Sequence, residues 1–190
     1  DALFIRQLMS PRLLDPLRAI EVAVVMQQVA CACGVTAKSQ VSWGGMFSYS
    51  YLSEELNSAM ERDRGWLSMI PRVAPTSNNQ IFLFPIAGDA IGRAYKLKGA
   101  AGMSGPLLLV SKDLISGIID KVRDYVLFEN EYVVSLNWVN YSSENTEACL
   151  KVIGYSQKHV ARSLEDYVER NKATLSMSWI ASAQWLLKQP

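Results

Sequence analysis

Apolar residues along this chain recur first at helical spacing, then at strand spacing, then at helical spacing again, and the changes of period mark its elements. Asp15-Pro16 opens a helix, because the carboxylate caps free N–H groups and proline suits the first helical position. Leu17, Ile20, Val24, Met26 and Cys31 run along it, and Gly34 is a natural stop. Its apolar positions cover more than one face, which predicts burial between a sheet and a further layer. From Val35 to Tyr51 the pattern is extended and is interrupted at Gly44-Gly45. A short polar helix is expected around Ser53–Asp63, followed by a loop over 71–80 rich in Pro, Ser and Asn.

The stretch Ile81–Leu114 is the most informative. Phe82–Ile86 is an apolar run predicting a strand, Gly88 suits a tight turn, and Asp89 is a good N-cap. Ile91, Ala94, Tyr95 and Leu97 form a stripe at helical spacing, while Gly92 and Lys96 lie one turn apart on another face with Arg93 beside them. Gly99, Gly102 and Pro106 end the helix, and Leu107–Val110 is aliphatic enough for a buried strand. Ser111 then caps a helix carrying Leu114, Ile115, Ile118, Ile119 and Val122 on one face. Tyr125–Phe128 and Tyr132–Trp138 read as a hairpin with one covered face, turning at 129–131. From about Glu144 to the end the chain is a helical extension. Ala148, Val152, Val160, Leu164 and Val168 form one apolar stripe, and Leu175, Trp179, Ile180, Ala183 and Leu187 a second.

Composition narrows the class. At 190 residues the chain suits one well-buried domain spanning 1–190. A net charge of +1 argues against a dedicated nucleic-acid binder, which needs a concentrated basic face. No apolar run approaches the roughly 20 residues that span a bilayer, so no membrane partner is expected. Cys31, Cys33 and Cys149 are spaced poorly for zinc or a redox pair, and read as reduced thiols in a cytoplasmic protein. His159, the sole histidine, lies in an amphipathic helix with no Gly-x-Ser-x-Gly elbow elsewhere, and is expected to be a surface or packing residue. The chain opens on Asp1 within an apolar, β-prone run, so a preceding strand and helix are expected outside it.

In its order of strand, Gly88-Asp89, helix with Ala94-Tyr95-x-Leu97, and further strand, the central stretch resembles the class III nucleotidyl cyclases. Its Gly-x-Ala-x-x-x-Ala-Tyr-x-Leu form is closest to a bacterial branch that includes the Pycsar anti-phage pyrimidine cyclases. Gly92 stands where the family has an Asn, and Lys96 where it has an Arg. The resemblance implies an α+β sandwich of ferredoxin-like type, with a mostly antiparallel sheet covered by helices. It implies conversion of a nucleoside triphosphate, CTP or UTP in the narrowest form, to a 3′,5′-cyclic nucleotide plus pyrophosphate. Two divalent cations, Mg²⁺ or Mn²⁺, would be held partly by Asp1, with the first metal-binding aspartate on a strand before it. Lys96 and then Arg93 would face the phosphates, and Gly45 (or Gly44), Gly88, Asp89 and Gly92 would lie along the substrate. The family builds its site across a homodimer. Read without the resemblance, Asp1 is a solvated turn residue, Gly44-Gly45 a β-bulge, and Arg93 and Lys96 a solvated helix face. Arg62, Arg64 and Arg72 are further candidates for phosphate contact, since a guanidinium grips two oxygens at once. A non-catalytic nucleotide-binding or protein-interaction module is the competing function.

Overall fold

Helix α1 (Pro16–Ala32) begins as its sequence dictates: the Asp15 carboxylate accepts from the Arg18 N–H at 3.2 Å, and proline follows the cap. It ends before Gly34, whose φ of +81° is the left-handed conformation that glycine adopts without penalty. The computed structural model describes residues 15–44, 46–48, 74–76, 79–81, 86–100 and 102–188. They fall into two compact units, one comprising Asp1–Ser42 with Ala94–Pro190 and the other Trp43–Arg93.

The larger unit is built on a four-stranded mixed sheet of β1 (Ser39–Val41), β6 (Leu108–Ser111), β7 (Val126–Glu129) and β8 (Val133–Leu136), in the order β1-β6-β8-β7. β1 runs parallel to β6, and the other two pairings are antiparallel, with a register shift between Val126 and Phe128. The side-chain period of two sorts β6 and β8 between two layers. Leu108, Val110, Val134 and Leu136 join the main core with Ile20 and Val24 of α1 and the fully buried Trp138. Leu107, Leu109 and Val133 belong to a second cluster with Leu97, against which Met103 and Phe128 pack. α1 contacts the sheet and also α5 (Glu144–Val152) and α6 (Gln157–Asn171), so it is sandwiched as its all-round apolarity requires.

Several expectations are corrected here. β8 is buried along its whole length rather than on one face, because the Leu97 cluster covers the side expected to meet solvent. Ser111 ends β6 and makes no cap; its hydroxyl is buried, and 112–125 divides into helices α3 (Lys112–Ile115) and α4 (Ile119–Val122), each followed by a 3₁₀ turn. Gly117, in the first of those turns, is a weak helix former at the break. The hairpin is as expected but its turn falls one residue later, at 130–132, because Glu129 still pairs in β7; the Asn130 side-chain oxygen accepts from the N–H groups of Tyr132 and Val133, both at 2.9 Å.

The C-terminal extension is three helices, α5, α6 and α7 (Met177–Lys188). A reciprocal Ser143–Thr146 capping box starts α5. Ala148 and Val152 are exposed instead of continuing the stripe of α6, and Thr146 and Leu150 are buried in their place. Gly154, at φ +79°, breaks the chain between the two helices, so the helical phase is not carried across it.

The smaller unit pairs β2 (Met46–Ser48) with β5 (Ile86–Gly88), and β3 (Ala74–Thr76) with β4 (Asn79–Ile81), both antiparallel. The second pair replaces part of the expected 71–80 loop. Pro75 is accommodated because a two-stranded ribbon has only edge strands, where a missing N–H is tolerated. The strand expected over 82–86 is observed at Ile86–Gly88, and residues 82–85 lie outside the described residues, as does the expected 53–63 helix.

Candidate functional site

Helix α2 (Asp89–Ala100) follows β5 with no residue between them. Gly88 is therefore the last paired residue of the strand, opposite Met46, rather than the corner of a separate turn. Asp89 is the first residue of the helix, one position beyond the N-cap place that its carboxylate was expected to fill. An acidic residue in a first helical turn still meets the positive end of the helix dipole.

Gly92, Arg93 and Lys96 are all exposed along α2. Arg93 is already engaged by another group. Among the described residues, no heavy atom outside the helix backbone and the adjacent residues lies within 4 Å of the point where a side chain at Gly92 would begin. Leu97, next to Lys96, is 5% exposed and fixes its half of the helix to the larger unit through Leu107, Leu109 and Val133. The division between the units falls within α2, after Arg93. The last turn closes through a Gly102 N–H to Gly99 carbonyl bond of 3.1 Å, with Gly102 at φ +61°.

Of the other residues singled out in the sequence, Asp1, Gly45, Arg62, Arg64 and Arg72 lie outside the described residues. Among the described residues, no three His, Cys, Asp or Glu side chains are grouped as a metal site. His159 is exposed, the surface placement of the two expected for it, and its Nδ1 pairs with Ser156 Oγ at 2.8 Å. The three cysteines are free thiols, Cys31 buried and Cys33 and Cys149 exposed. No helix among the described residues is long and apolar enough to cross a membrane.

Two features escape a reading by hydrophobic pattern. Gln27 and Gln28 are buried in α1. Gln27 Nε2 donates to the Ala37 carbonyl at 2.7 Å and reaches those of Pro106 and Leu107; Gln28 Nε2 donates to those of Trp138 at 2.7 Å and Tyr141 at 3.0 Å. Adjacent glutamines within an apolar helix were the available signal, since burial demands that such amides find partners. The second feature is the loop after α2. Lys38 Nζ donates to the Met103 carbonyl at 2.7 Å, and Ser182 Oγ of α7 donates to the Ser104 carbonyl at 2.6 Å. No family model, no curated protein and no solved structure matches the chain.

Proposed function

We propose that this chain is a nucleotide cyclase, closing a nucleoside triphosphate to its 3′,5′-cyclic monophosphate with release of pyrophosphate. The observation that carries the reading is the unbroken passage from a strand ending in Gly88 into a helix that begins at Asp89 and holds Lys96 exposed one turn beyond Gly92. A mixed α/β chain with this order of elements is compatible with the ferredoxin-like cyclase fold, which belongs to the proposal.

The ribose 3′-oxygen attacks the α-phosphorus while the bond to the pyrophosphate oxygen breaks, and negative charge grows on the departing phosphates. A fixed ammonium beside those oxygens favours the transition state over the ground state. Lys96 takes that role, with Arg93 as the second cation. Asp1 is the ligand assigned to Mg²⁺ or Mn²⁺, which would supply Lewis-acid polarisation of the phosphates. A homodimer places the Asp1 of one protomer and the Lys96 of the other at a shared substrate. A pyrimidine triphosphate and an anti-phage signalling role are the narrower form of the same proposal.

One observation favours a second reading, a non-catalytic nucleotide-binding module. Gly92 brings no side chain to orient the ribose, and a lysine offers a point charge without the two-pronged grip of arginine. Incubation with each of the four triphosphates and Mn²⁺, followed by assay of cyclic product and pyrophosphate, separates the two. The cyclase reading expects product from at least one triphosphate and a loss of about 100- to 1000-fold in Lys96→Ala, the usual range for removing one transition-state donor. Intact triphosphates in all four reactions, with measurable binding, would establish the second reading instead.

A further inference from the structure

The C-terminal helix α7 meets the main chain immediately after α2 at unusually close range. Gly105 has φ +124°, and a Cβ added there would lie 2.6 Å from Ser182 Cβ and 3.1 Å from Ser182 Oγ. That separation is shorter than any side chain tolerates, so only glycine lets the loop seat against the helix. Three polar contacts hold the same five-residue stretch. Ser182 Oγ donates to the Ser104 carbonyl at 2.6 Å, the Ser104 and Ser178 hydroxyls pair at 2.5 Å, and Lys38 Nζ donates to the Met103 carbonyl at 2.7 Å. Met103 and Leu107, near the two ends of this stretch, pack in the same cluster as Leu97, the residue beside Lys96.

We infer that α7 sets the position of Lys96: Ser182 and Gly105 are positioning residues that act through the Gly102–Pro106 loop and the Leu97 anchor on the C-terminal half of α2. The functional part of this inference rests on the reading of Lys96 as the phosphate cation, whereas the mechanical part does not. A buried leucine fixes a helix only as firmly as the cluster that receives it, and this cluster is held at its loop end by α7 on one side and Lys38 on the other. Whatever binds or displaces α7 therefore acts on the cationic turn of α2 without touching a nucleotide.

The test is amide hydrogen exchange on the full chain, wild type against Ser182→Ala, with triphosphate affinity measured on both. Ser182→Ala removes one hydroxyl without adding bulk, and the fold is retained. Exchange of the Ala94–Ala100 amides is expected to rise about five-fold, the change a lost bond of about 1 kcal/mol gives, with the β6 and β8 amides unchanged. Triphosphate affinity is expected to fall by a similar factor. Loosening confined to α7, with 94–100 as protected as in wild type, overturns the inference. Faster exchange in 94–100 from a protein whose wild type binds no triphosphate upholds the coupling and removes the nucleotide reading.

Discussion

Cys31 shows how burial converts one thiol into a pH-dependent contribution. Its side chain is 1% exposed, its S–H points to the Val160 carbonyl at 3.7 Å, and burial pushes its pKa from the ordinary 9.0 up to about 11. The folded state thus holds the neutral thiol while the unfolded chain ionises first. The associated stability is complete below pH 9 and is lost as pH rises towards 11. Tyr141 acts in the same direction, pushed up to about 12 by burial first and then by Glu21 and Tyr125. Thermal unfolding in reductant should show a Tm that is level up to about pH 9 and falls above it. Cys31→Ala should lower the Tm at neutral pH through the cavity it leaves, and make the alkaline decline shallower without abolishing it. An unchanged alkaline slope in that variant would remove Cys31 as a source.

Among the elements, α1 is docked by more than its apolar stripe. Gln28 Nε2 donates to two carbonyls, those of Trp138 and Tyr141, where the chain leaves β8 for α5, and the Tyr141 carbonyl also accepts from Gln157 Nε2 at 2.6 Å. Trp138 Nε1 in turn donates to the Pro106 carbonyl, which Gln27 also reaches, so α1, the entry to β6 and the exit from β8 share one polar junction. Gln28→Ala should cost about 1–3 kcal/mol, because the Trp138 carbonyl loses this donor and keeps its desolvation penalty, while the Tyr141 carbonyl retains Gln157. Denaturant unfolding measures this, and a loss below about 0.5 kcal/mol, typical of surface changes, would show the junction to be dispensable. Here too lies the limit of what the sequence revealed. α1, α2, β6 and the β7–β8 hairpin were legible because each has its own local signal: a cap, a stripe, an aliphatic run, a turn. The polar junction was not, since apart from Ala37, 10 positions on, the partners of Gln27 and Gln28 lie 79 to 113 positions away along the chain. Nor was the full burial of β8, which depends on Leu97 arriving from another helix, or the seam at Gly105, where a long-range contact decides the residue. For the candidate site, the order from Gly88 to Leu97 was legible, whereas convergence with Asp1 is a matter of assembly that periodicity does not encode.

On the scale of the whole molecule, the account turns on a site divided between two copies of the chain. In the proposed site Asp1 of one protomer ligates the metal and Lys96 of the other supplies positive charge, so the two meet only across a homodimer. Complementation between two inactive variants tests that claim most directly. Asp1→Ala and Lys96→Ala, each expected to keep about 1% of the activity or less, are unfolded, mixed in equal amounts and refolded together, and cyclic nucleotide is then assayed. Half of the dimers formed are mixed, and each mixed dimer carries one intact site of two. The account therefore predicts recovery to about a quarter of the wild-type rate. A mixture as inactive as its components, from variants shown to form mixed dimers, would contradict it.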